Sequence, residues 1–126
     1  MNAKLRKDLG QFFGNLFSFN NSLKLYHWHV TGPASYAQHM ALDQALEEVT
    51  ENLDRMVETS YAMQGDIDIE IPETISPKNI VKHCQDFYEY LENSRVLFEG
   101  VNFQEAMIDD YQEAVQQLLY RLIRLQ

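Results

Sequence analysis

The chain has 126 residues, which is room for one domain and too little for two ordinary ones, so residues 1–126 are expected to form a single unit. It carries 19 acidic against 10 basic residues, and the resulting net charge of −9 excludes broad binding to a phosphate backbone while fitting a cationic partner. The single cysteine, Cys84, excludes an intrachain disulfide, no apolar run reaches membrane-spanning length, and no leader-like opening is present, so the expected location is the cytoplasm.

The opening segment, residues 3–30, places Leu5, Leu9, Phe12, Phe13, Leu16, Phe17, Phe19, Leu23 and Tyr26 mostly three and four apart, which predicts an amphipathic helix ending at Thr31-Gly32-Pro33. A second helix is predicted from about Ser35 to Gln64. Its apolar stripe is Ala41, Leu42, Ala45, Val49, Leu53, Met56 and Met63, and Gly65 is its stop. Residues 66–76 alternate acidic and β-branched side chains but have no second strand to pair with, so they are read as an extended crossover. Ser76 as N-cap and Pro77 at the first helical position open a third helix that carries Ile80, Cys84, Phe87, Leu91, Leu97 and Phe98 as far as Gly100. The fourth opens on Asn102 with Glu105 three residues on, and repeats Ile108, Tyr111, Val115, Leu118, Leu119, Leu122 and Leu125. Four such helices make a bundle. A crossover of this length spans about 36 Å, near the length of the second helix, so helices two and three can run parallel as in ferritin-like bundles. A simple up-down bundle fits the same pattern.

The chemistry concentrates between residues 27 and 58, where His27, His39, Asp43, Asp54 and Glu58 offer nitrogen and oxygen donors suited to a divalent transition metal. With His39 at zero on a helical wheel, Asp43, Asp54 and Glu58 lie at about 40°, 60° and 100°, against an apolar stripe centred near 270°. The candidates therefore share a face that points away from the core. Asp43 and Asp54 are about 16 Å apart along the axis, too far for one metal centre. Two copies of the helix packed antiparallel about a twofold axis near residue 48 would close the gap, bringing His39 and Asp43 of one against Asp54 and Glu58 of the other. His27 can reach across the Gly32-Pro33 turn to join them. No Glu-x-x-His motif supports a di-metal site inside the bundle.

The segment HWHVTGPASYAQHMALDQALEEVTENLDRMVE resembles the ferroxidase region of Dps-type miniferritins. The resemblance is carried by His27-Trp28, Gly32, His39, Asp43, Asp54 and Glu58. It implies a ferritin-like bundle and a dinuclear iron site shared between subunits, for which Zn²⁺ can substitute. It also implies oxidation of Fe²⁺ by peroxide or dioxygen, with a ferric mineral as product and a twelve-subunit shell. On this reading His27, His39, Asp43, Asp54 and Glu58 are both metal ligands and catalytic residues. Trp28 is an orienting residue whose indole N–H meets a ligand or water. Glu47 and Thr50 lie between the two sites, and Tyr36 and Tyr61 are expected to cover the interface.

Other features depart from that family. The only basic cluster, Lys4, Arg6 and Lys7, falls within the first helix, and no Lys-rich tail follows Leu125, so DNA binding is not expected. With no acidic pore motif before the fourth helix, a homodimer is the minimal expected assembly. The stretch LYHW…YAxHxAxD is also similar to short uncharacterised helical proteins of phages and large viruses. That similarity keeps open a non-catalytic or virion-associated protein with a vestigial or structural metal site. His29 and His83 are expected to be solvated, Cys84 packed, and Phe12, Phe13, Phe17, Phe87 and Tyr111 core filler.

Overall fold

The computed structural model describes residues 2–126, and every regular element in it is helical. Helix α1 spans Ala3–His29, α2 Ser35–Gln64, α3 Ile80–Ser94 and α4 Asn102–Arg124, with a 3-10 turn at Arg95–Phe98 between the last two. Asn2 caps α1, its side-chain oxygen accepting from the Leu5 N–H at 3.1 Å. The chain leaves α1 at Val30 in an extended conformation and turns at Gly32, whose φ of +98° suits glycine. Helix α2 ends at Gly65 as its sequence requires.

Two caps differ from expectation. Helix α3 starts at Ile80 with Asn79 as its cap, the side chain accepting from Lys82 N–H at 3.0 Å, rather than at Ser76-Pro77. Both sites have suitable chemistry. The later one wins because Ile80 is the first residue of α3's buried stripe, while residues 72–77 are occupied in packing over α1. At α4 the cap is Val101 with no side-chain bond, so Asn102 and Glu105 form no capping pair; Glu105 still places a negative charge in the first turn.

The core follows the stripes read from the sequence: Phe12, Phe13, Leu16 and Leu23 of α1, Leu42, Val49 and Met56 of α2, Cys84 and Leu91 of α3, and Ile108, Tyr111, Leu118 and Leu122 of α4 are buried. Phe17 is not core filler but 45% exposed, because it lies about 100° round the helix from Leu16 and off the stripe. Met63, near the end of α2, is also partly exposed. Two buried polar pairs cross the bundle: the Tyr111 hydroxyl donates to the Asn20 side chain, and Gln104 Nε2 donates to the Ser60 hydroxyl at 3.3 Å.

Helix α2 packs between α1 and α4, and α3 packs on α4 and α1; the backbones of α2 and α3 do not approach each other among the described residues. The connection between them, residues 65–79, runs along α1. Gly10 and Gly14 allow this, because a Cβ at either would collide with the backbone carbonyls of Asp68 and Glu70. Ile67 is buried there, Tyr61 donates its hydroxyl proton to the Ile67 carbonyl at 2.7 Å, and Ser18 meets Thr74 at 2.9 Å.

Candidate metal centre

His27 sits in the last turn of α1, and His39 and Asp43 lie one turn apart near the start of α2. The tight connection through Gly32 and Pro33 folds α2 back on α1 and lays the two imidazoles over each other, with centroids 3.7 Å apart and planes at 28°. One ligand atom from each of His27, His39 and Asp43 lies within 4.8 Å of the other two.

Proton positions in this cluster follow from its contacts. His39 Nδ1 lies 3.2 Å from the His27 carbonyl oxygen, which can only accept, so Nδ1 carries the hydrogen and Nε2 keeps a lone pair in the neutral ring. That Nε2 is 3.6 Å from an Asp43 oxygen. A backbone carbonyl fixing one imidazole nitrogen so that the other faces a metal is the common arrangement at histidine-ligated centres. His27 is only 5% exposed, and both its ring nitrogens are shut off from water without a hydrogen bond. Its Nε2 comes within 2.7 Å of the other Asp43 oxygen, but the approach lacks the alignment of a hydrogen bond and is an electrostatic contact. Burial holds the His27 pKa below the usual histidine value and His39 adds to that effect, while Asp43 pulls the other way. The favoured form is therefore the neutral imidazole that can ligate. An unbonded buried imidazole costs about 1–3 kcal/mol, which a cation held among these donors would offset. Two nitrogens and a carboxylate fit Fe²⁺ or Zn²⁺ and leave the coordination sphere incomplete.

Asp54 and Glu58 do not join this cluster. They are exposed on the outward face of α2, with Asp54 about 16 Å along the axis from Asp43. Asp43, Glu47, Thr50 and Asp54 line a groove of about 620 Å³ between α1 and α2, and Lys24 is its one basic residue. Trp28 is 65% exposed, with its ring edge-on to His27 at 6.4 Å and the Lys24 ammonium 5.4 Å from its centroid. Its indole N–H makes no hydrogen bond among the described residues. Tyr36 and Met40, in the first turns of α2, are exposed. The Tyr61 hydroxyl turns to the connection, where it donates to the Ile67 carbonyl. His29 is exposed, as expected.

His83 departs from the solvated role expected of it. It is half-buried, stacked on Phe19 at 5.2 Å and within 2.7 Å of the Ser22 hydroxyl, and burial lowers its pKa. Charged Lys82 and Asp86 around it pair with each other instead. A spacing in the sequence points to this region: small residues recur every four positions at Gly10, Gly14, Ser18 and Ser22, marking the side of α1 against which the connection and α3 approach.

No helix of the described residues is long and apolar enough to cross a membrane. Residues 27–122 match a family described as of unknown function, DUF5856, and the match spans all five candidate ligands. No curated protein and no solved structure matches the chain.

Proposed function

We propose that this chain, which belongs to the DUF5856 family of unknown function, is a ferritin-like ferroxidase that binds Fe²⁺ between two copies of itself and oxidises it with peroxide or dioxygen. The observation that carries the reading is the cluster of His27, His39 and Asp43, with His39 held in the tautomer that frees Nε2 and His27 buried without a hydrogen bond. The packing order supports the fold. Helices α2 and α3 are kept apart, and their connection runs the side of α1, as a crossover joining two parallel helices would.

In the proposed dimer the second copy supplies Asp54 and Glu58, so each interface holds two sites and each site takes ligands from both chains. Fe²⁺ is the substrate, and Zn²⁺ fits the same donors without redox chemistry. Two ferrous ions deliver one electron each to hydrogen peroxide, which with two protons leaves as two waters. Pairing the electrons avoids release of a hydroxyl radical. The residues of this chain hold the ions: neutral imidazoles bind without adding charge, the carboxylates offset the charge gained on oxidation, and the acidic groove from Asp43 to Asp54 attracts the cation. A dimer is sufficient for this chemistry; a closed shell would add mineral storage.

Anaerobic loading with Fe²⁺ followed by peroxide tests the reading. Ferric absorbance should grow with two irons oxidised per peroxide, and Asp43→Ala should reduce the rate to that of free iron. Equal rates for the two proteins would overturn it, and tight Zn²⁺ binding without iron oxidation would replace it with a structural metal site.

A further inference from the structure

A cavity of about 490 Å³ lies on another side of α1 from the metal cluster, between α1, α3 and residues 72–77. His83, Phe87 and Tyr90 succeed one another four and three residues apart on α3 and so line it from one helix face. Asn15, Phe19 and Ser22 face them from α1, and Pro72, Ile75 and Pro77 form the third side. Phe19 and Phe87 stack at 3.9 Å with planes 3° apart, and Tyr90 tilts against Phe87 at 5.3 Å, giving a continuous aromatic wall.

The protons on this wall can be assigned. Ser22 Oγ gives its single proton to the Phe19 carbonyl at 2.6 Å, so in its 2.7 Å contact with His83 it is the imidazole Nε2 that donates. His83 Nδ1 then carries a lone pair, and it has no partner among the described residues. The same assignment excludes a serine nucleophile activated by His83, because the serine proton points at the backbone. Burial lowers the His83 pKa against the pull of Asp86, which keeps the ring neutral. At the other end, the Tyr90 hydroxyl accepts from Asn15 Nδ2 at 2.8 Å and retains its own proton. Glu73 is the only carboxylate lining the cavity, and it is exposed.

We propose that this cavity binds a small uncharged aromatic molecule that donates a hydrogen bond to His83 Nδ1 and accepts one from the Tyr90 hydroxyl. The volume suits a substituted ring, falling in the range of small-molecule sites. The exposed carboxylate and the negative chain disfavour an anion, and no buried carboxylate is present to hold a cation. Iron handling at His27 plays no part in it.

The test uses 4-hydroxybenzamide, whose phenol and amide carbonyl lie at opposite ends of a ring, titrated into the metal-free full chain by heteronuclear NMR. Saturable shifts should centre on Ser22, His83, Phe87 and Tyr90, and the anion 4-hydroxybenzoate should bind more weakly. His83→Leu and Tyr90→Phe should each lower affinity by about three- to tenfold, with circular dichroism unchanged. Tyr90→Phe keeps the aromatic wall and decides the matter if His83→Leu fails to fold. No saturable shift at millimolar probe, shifts mapping elsewhere, equal binding of the anion, or an unaltered affinity in Tyr90→Phe would overturn the proposal.

Discussion

At the scale of single residues, the contrast between His27 and His83 is instructive. Both are held neutral by burial, yet one stands among metal donors and the other among aromatic rings. A metal should therefore act through His27. Zn²⁺ at a hundred times its dissociation constant should stabilise the wild type by about 2.7 kcal/mol, or about 10 °C in Tm by calorimetry, and His39→Ala/Asp43→Ala should lose that increment. His83 governs part of the acid response without metal. Its folded pKa lies below the unfolded 6.5, so beneath pH 6.5 the unfolded chain binds more protons than the folded one, and stability falls as pH drops toward the folded value. His27 acts in the same direction, so His83→Gln should flatten, and not abolish, the loss of stability seen in urea titrations between pH 7 and 5. Cys84 gives a cleaner expectation. Burial pushes its thiol up to about 12, so iodoacetamide should leave it unmodified in the folded protein and label it after denaturation.

At the scale of elements, α1 and the connection that follows α2 approach each other closely at Gly10 and Gly14. Gly10→Ala and Gly14→Ala would each raise helix propensity by about 1 kcal/mol, but the new methyl would collide with a backbone carbonyl of the connection, which must shift. Each variant should lose about 1–3 kcal/mol net in denaturant melts, and proteolysis within residues 65–79 should accelerate. A net gain in stability would contradict the close approach. This region also shows how far the sequence could be read. Helical periodicity located all four helices, because apolar stripes report burial directly, and it gave α2 from Ser35 to Gln64. It missed the choice between Ser76 and Asn79 as cap, which depends on where residues 72–77 lie in space. It also missed the embedding of His83, whose charged sequence neighbours imply solvent while its tertiary neighbours, Phe19 and Ser22, come from a helix sixty residues earlier. The spacing of His39 and Asp43 was legible, being one turn of one helix. The partnership of His27 required only that a short turn fold back.

At the scale of the whole molecule, the proposed site is divided, and that division can be tested by mixing two inactive proteins. His39→Ala/Asp43→Ala retains Asp54 and Glu58; Asp54→Ala/Glu58→Ala retains His39 and Asp43. A heterodimer of the two contains one intact and one doubly defective site, so an equal refolded mixture should recover about a quarter of wild-type iron oxidation, while each variant alone recovers none. No recovery, with heterodimers confirmed by native mass spectrometry, would refute the shared site. The same measurement on the wild type separates a dimer from a larger shell.

The stretch of α2 between Asp43 and Asp54, about 16 Å of helix, also sets the kinetic order of the reaction. On the proposed arrangement a lone chain holds the ion with three of its five ligands, so turnover per chain depends on how often two chains meet. Dilution should silence the protein well before it unfolds, and activity should rise more steeply than linearly with concentration until the dimer saturates. Abundance alone would then act as the switch, with no effector required.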